Sequence, residues 1–141
     1  MAADKLAHVN KSGSKKVHAS GEDYLEAILV LQKQKGMVRS IDVAQHLGFS
    51  KPSVSHAMGI LRDEGFLLVD AEHFLHLTDI GRELAEKIYD RHQFFTAHLV
   101  ELGVDPEQAE QDACKIEHVI SEESYQKLKK DYESRKACQE C

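Results

Sequence analysis

Between Ile41 and Leu77 the hydrophobic period of the chain changes, and no other feature constrains the fold as much. Ile41 to Leu47 reads as a short helix closed by Gly48. Ser50 and Pro52 open the next one, in which Val54, Ala57, Met58 and Leu61 recur at helical spacing until Gly65. Two short helices joined by a tight turn containing glycine make a helix-turn-helix. After Gly65 two short apolar runs, Phe66–Val69 and Phe74–Leu77, flank a polar Asp70-Ala71-Glu72-His73 turn. Short apolar runs around such a turn predict a β-hairpin, the wing of a winged helix.

The rest of the chain is helical in period. Ser20 is placed to cap a helix from near Glu22 to Gly36, with Tyr24, Ala27, Ile28 and Leu31 as its apolar stripe. Thr78 is expected to cap a long helix reaching about Leu102, with Ile80, Leu84, Ile88, His92, Phe95 and Leu99 on one stripe. Asp105 as N-cap and Pro106 in the first turn restart the chain in a helix ending near Ile120. Ser121 opens a last helix with Tyr125, Leu128 and Tyr132 in register, packed in the core or against a two-fold partner. The expected fold class is mainly α: an N-terminal winged helix-turn-helix over residues 21–78 and an all-helical domain over 79–141. Residues 1–20 are polar and mostly basic and read as a flexible arm, either a solubilising tail or a DNA-touching segment.

Nothing in the 141 residues approaches the roughly 18 consecutive apolar positions needed to span a bilayer, and no apolar leader opens the chain. A cytoplasmic protein with no membrane partner is expected. Three cysteines, an odd number, make no disulfide framework. Cys138 and Cys141 have metal or redox spacing but no second pair nearby, and read as incidental thiols. Residues 1–70 hold 9 Lys/Arg against 8 Asp/Glu, whereas residues 71–141 hold 9 against 16. Charge so divided does not bind nucleic acid in bulk, and DNA binding requires a local surface. In a helix-turn-helix the second helix presents its N-terminal side chains to base edges. Those are Ser50, Lys51, Ser53, Ser55 and His56 around Pro52, with Arg39 and Ser40 placed for phosphate. Short hydroxyls and an imidazole make few bidentate base contacts, so DNA shape is expected to share in the readout. A protein-binding winged helix is the other reading.

Cys114, Glu117 and His118 stand at i, i+3 and i+4, which puts all three on one helix face. Asp23 and Glu26 stand at i and i+3 on the first helix, and His92 lies on the inward stripe of the long one. Each has an ordinary explanation: a buried cysteine beside a Glu–His ion pair, a capping aspartate, a core histidine. Three helices offering N, O and S donors together suggest a metal site.

The motifs "EDYLEAI", "KPSVSHAMGIL", "LTDIGRELA", "YDRHQF" and "LGVDPEQAEQDACKIEHVIS" occur in this order. With them the chain resembles the diphtheria-toxin-repressor and manganese-transport-regulator family of metal-dependent repressors, from Gly21 to about Tyr132. The resemblance implies a winged-helix domain followed by a helical domain that binds metal and dimerises. It leaves no room for the SH3-like third domain of longer members. It also implies the ligand set Asp23, Glu26, His92, Cys114, Glu117 and His118. The set is a hybrid. Asp23 and Glu26 match the manganese type, whereas Cys114 matches the iron type, whose members have Met at the position of Asp23. An ancillary site of the iron type uses Glu and His where this chain has Thr96 and Glu110.

Thiolate favours Fe(II), Co(II) or Zn(II), and carboxylate oxygens suit Mn(II). The expected cofactor is Fe(II) or Mn(II), with Zn(II) or Co(II) as surrogates. Thiolate bridges two Mn(II) ions poorly, which argues against a binuclear centre built through Cys114. The implied function is a homodimeric, metal-dependent repressor of metal-uptake genes on a pseudo-palindromic double-stranded operator, and not an enzyme. Two readings stand beside it: a winged-helix regulator that needs no metal, and a metal-dependent hydrolase, which would need an open coordination position and a general base.

Overall fold

The computed structural model describes residues 19–139. The expected N-terminal arm, apart from its last two residues, and Cys141 lie outside them. The described chain runs α1 (Ala19–Lys35), α2 (Ser40–Leu47), α3 (Lys51–Asp63), β1 (Leu67–Val69), β2 (Leu75–Leu77), α4 (Asp79–Glu101), α5 (Pro106–Val119) and α6 (Glu122–Gln139). It divides into two compact units, one up to Ile88 and one from Tyr89 onward. The division falls inside α4.

In the first unit α1 starts three residues ahead of the expected Glu22, so Ser20 lies inside the helix and not at its cap. The helix stops at Gly36, whose φ of +83° only glycine adopts without strain. Tyr24, Leu25, Ala27, Ile28, Leu29 and Leu31 are all buried, a wider face than one stripe. α2 ends on Gly48 in the left-handed conformation, with its N–H on the Ala44 carbonyl. α3 opens as the sequence predicts: the Ser50 hydroxyl accepts the Ser53 N–H at 3.3 Å, and Pro52 stands in the first turn, where a missing N–H costs nothing. Val54, Ala57, Met58 and Leu61 point into the core, which leaves the opposite face of α3 to solvent.

The wing is a two-stranded antiparallel hairpin with Leu67 opposite Leu77 and Val69 opposite Leu75. Asp70 organises its turn. One carboxylate oxygen accepts the N–H groups of Glu72 (2.9 Å) and Phe74 (3.0 Å), and the other meets His76 Nε2 at 2.8 Å. The hairpin is tied down at its base, where Leu75 N–H donates to the Val38 carbonyl and Arg39 bridges Phe74. Thr78 caps α4 by accepting the Gly81 N–H, and its hydroxyl donates to the Gly65 carbonyl. A Cβ at Gly81 would lie 2.0 Å from the Phe66 carbonyl oxygen, so only glycine allows α4 to approach this strand so closely.

That approach rotates α4 relative to the expected stripe. Ile80 is 48% exposed, while Ala85, Ile88, Arg91 and Phe95 are buried. Small residues at 81 and 85, not the larger ones at 80 and 84, set the contact face. In the second unit Phe95, Ala113 and Tyr125 form the core, with Phe94, Ile116 and Ile120 packed against it. Phe94 meets the rings of Tyr125 and Tyr132 edge to face at 5.7 and 5.5 Å, a geometry aromatic quadrupoles favour. Of the expected register on α6, Tyr125 is buried and Tyr132 half-buried, but Leu128 is 45% exposed in the single chain. Among the described residues no helix is long and apolar enough to cross a membrane.

Candidate functional site

Asp105 starts α5 by accepting the Glu107 N–H, with Pro106 at the first turn, and this fixes the phase of the helix. Ala109 and Ala113 are its buried positions next to the core. Four residues after Ala113 the same face carries Glu117, a carboxylate with 0% exposure. A buried carboxylate is costly unless something compensates it. Here α4 supplies His92, whose Nδ1 lies 2.9 Å from Glu117 Oε2. Cys114 Sγ is 3.7 Å from the same Nδ1, and His118 Nε2 is 3.3 Å from Glu117 Oε1. The Cys114 thiol is exposed, so the group opens to solvent on the cysteine side.

One ligand atom from each of His92, Cys114 and Glu117 lies within 4.8 Å of the other two, a spacing that can hold a metal ion. The donor chemistry fits. Glu117 Oε1 is buried and accepts no hydrogen bond, with only the His118 imidazole near it, and a cation would satisfy its lone pairs. The Cys114 sulfur and the Glu117 carboxylate raise the His92 pKa from 6.5 to about 10, against the opposing effect of burial. In the metal-free protein His92 therefore keeps its proton at neutral pH beside the Glu117 carboxylate, a positive charge that a bound cation would replace. Thiolate, imidazole and carboxylate together suit Fe(II), Co(II) or Zn(II), and further carboxylates shift the set toward Mn(II).

The sequence-predicted ligands His92, Cys114, Glu117 and His118 thus stand together in the second unit. Asp23 and Glu26 stand one turn apart on α1 of the first unit, both half-buried. Sequence reasoning missed Arg91 as a structural partner of this group. Its guanidinium is buried beside the last turn of α5, and donates to the carbonyls of Glu117 (3.1 Å) and Ile120 (2.9 Å). The available signal was an arginine three residues after Ile88 and four before Phe95, on the buried face of α4. Glu110, at the altered ancillary position, has a carboxylate oxygen 4.0 Å from His92 Nε2 and is otherwise exposed.

On the first unit Lys51, Pro52, Ser55 and His56 are exposed along the N-terminal half of α3, and Ser53 is half-buried. Ser50 is exposed, but its hydroxyl serves as the helix cap and also donates to the Ser53 hydroxyl at 2.9 Å. These two expected base-facing hydroxyls are therefore bonded to each other. Arg39 is exposed at the base of the wing, its guanidinium 4.2 Å above the Phe74 ring, and Ser40 begins α2. That cation–π contact holds the Arg39 charge over the Phe74 ring at the base of the wing.

The matching family models meet just before α4, whereas the compact units meet inside it. Residues 16–77 match the N-terminal DNA binding domain of the iron dependent repressor family, and residues 78–141 match its metal binding and dimerisation domain. The transcriptional regulator MntR of Escherichia coli O157:H7 is 37% identical over 103 residues, 73% of this chain and 66% of that protein. An HTH-type transcriptional regulator of Methanocaldococcus jannaschii, MJ0568, is 34% identical over 110 residues, covering 77% of this chain and 88% of its own length. The structure of the manganese regulator SloR superposes with a TM-score of 0.73 at 26% identity, over 80% of this chain and 53% of SloR. The chain thus spans about two-thirds of the MntR relative and about half of SloR. Both domain descriptions are those of a repressor and neither is that of an enzyme, which leaves the hydrolase reading without support. The order of elements, the donor group on α4 and α5 and these matches lead to one conclusion: the chain belongs to the iron dependent repressor family.

Proposed function

We propose that the protein is a cytoplasmic, homodimeric, metal-dependent repressor. In this reading it senses Fe(II) or Mn(II), binds a pseudo-palindromic double-stranded operator and controls metal-uptake genes. The observation that carries the reading is the group His92, Cys114 and Glu117, with its orphaned buried carboxylate oxygen, in a chain whose other unit is a winged helix. His118 joins this group, and Asp23 and Glu26 add the carboxylates of α1. A bound divalent cation supplies the positive charge that the anionic donors lack.

The chain's own groups do the rest. His92, Glu117 and Cys114 would hold the cation, with His92 as a neutral imidazole donor. A ligand shifts a conformational equilibrium only by its differential affinity for the two states. The DNA-competent state is therefore the one that binds the cation more tightly. On the DNA, Ser50, Lys51, Ser53, Ser55 and His56, around Pro52, face base edges, and Arg39 and Ser40 meet phosphate. Two copies related by a two-fold axis read half-sites about one helical turn or a multiple apart.

Selection from a random duplex library tests this, with chelator-treated protein and with Fe(II) (anaerobically), Mn(II) or Zn(II) restored. The expected result is a two-fold symmetric sequence enriched only when metal is present, and most strongly by Fe(II) or Mn(II). Equal enrichment in chelator would favour a metal-independent winged-helix regulator instead.

A further inference from the structure

Glu117 is held at both ends by two consecutive residues of α4. His92 Nδ1 meets its carboxylate at 2.9 Å, and Arg91 Nη1 donates to its backbone carbonyl at 3.1 Å. The reason lies in how α5 ends. The chain leaves the helix at Ile120, with φ −77° and ψ 140°, so the carbonyls of the last turn lose their helical donors. Arg91 supplies donors to two of them, Glu117 and Ile120, and places its positive charge at the negative end of the helix dipole. Its second terminal nitrogen, Nη2, pairs with Glu122 in the first turn of α6 at 2.8 Å, and the guanidinium lies 5.2 Å from the Tyr125 ring centre. Arg91 is 6% exposed, and its bond to the Glu117 carbonyl is buried, where charged hydrogen bonds are strong and geometry is tightly set.

We propose that Arg91 is the positioning residue of the metal centre. By gripping the carbonyls at the end of α5 it fixes the axial place and rotation of the turn that carries Cys114, Glu117 and His118. The donor atoms then meet His92 at ligand distance. A cation-binding site needs its ligands held to within about half an ångström, and partners outside the ligand set commonly control affinity 10- to 100-fold. Only a planar fork reaches two carbonyls and a carboxylate at once. A lysine ammonium at the same place keeps the charge but cannot span all three.

The inference rests on the metal reading above, and Co(II) titration of the full chain separates the two. The readouts are the thiolate-to-Co(II) charge-transfer band, the shape of the d–d absorption, and helicity by circular dichroism. Arg91→Lys is expected to keep wild-type helicity, to bind Co(II) about 3- to 10-fold more weakly and to show an altered d–d spectrum. Arg91→Gln is expected to weaken binding about 10- to 100-fold. If the Gln variant loses its helical signal, the Lys variant decides. Should a folded Arg91→Lys protein bind Co(II) with wild-type affinity and an unchanged spectrum, Arg91 merely stabilises the fold and the inference is overturned. A wild-type chain that takes no Co(II) overturns the metal reading, and this inference with it.

Discussion

The metal-free protein should lose stability as pH rises between about 6.5 and about 10, and His92 should carry the loss. Its imidazole titrates near 6.5 in the unfolded chain and near 10 in the folded one, held up by the Cys114 sulfur and the Glu117 carboxylate. Below about pH 6.5 both states carry the proton, and the stabilisation is present in full. Between the two values the folded state keeps a proton that the unfolded state has released, so stability falls by about 1.4 kcal/mol per pH unit. Above about pH 10 nothing remains of it. The full difference corresponds to at most about 5 kcal/mol. The side chain of His92 is 16% exposed, so solvent screens the pairing little. Urea unfolding in chelator at several pH values from about 6 to 9, on the wild type and on His92→Gln, measures it. The stability difference between the two should shrink by about 1 kcal/mol for each unit above about pH 7. Parallel stability curves for the two proteins would refute the reasoning, because the Glu117–His92 pair would then contribute nothing that depends on the proton.

Three further outcomes follow from the same structure. Cys114→Ala should leave helicity unchanged, since the thiol is exposed, yet weaken Co(II) and Zn(II) binding by about tenfold or more while affecting Mn(II) less. Equal losses for all three ions would remove the sulfur from the site. Gly81→Ala should destabilise the winged-helix unit by about 3 kcal/mol, because the added methyl meets a backbone carbonyl at 2.0 Å and the strand must shift. Differential scanning calorimetry would show a melting point lowered by several degrees, and an unchanged one would contradict the close approach of α4 to Phe66. Ser50→Ala should cost about 1 kcal/mol by removing the cap of α3, read as a reduced unfolding midpoint in urea, whereas a neutral result would mean that water replaces the hydroxyl.

Much of the fold is legible in the sequence because local chemistry dictates it. Ser50 with Pro52, Asp105 with Pro106, and Gly36, Gly48 and Gly65 mark helix ends through hydrogen bonds and backbone angles that involve only neighbouring residues. The Asp70 turn likewise satisfies its own backbone. The i, i+3, i+4 spacing of Cys114, Glu117 and His118 places them on one helix surface before any packing is known. The phase of α4 is less legible. A hydrophobicity stripe places Ile80 and Leu84 inward, but contact with Phe66 selects Gly81 and Ala85, because backbone proximity rewards small residues more than apolar ones there.

By itself, then, the sequence determined the winged helix, the helical second half, the ligand types and a family resemblance. Each of these depends on residue identity and on short spacings along the chain. Only the tertiary structure decided that Glu117 is buried, that His92 reaches its carboxylate, and that Arg91 holds its carbonyl. The last two of these join residues 25 or more positions apart. They arise where α5 ends against α4, and no period or cap written along the chain encodes which donor will meet which orphaned acceptor across a packed interface.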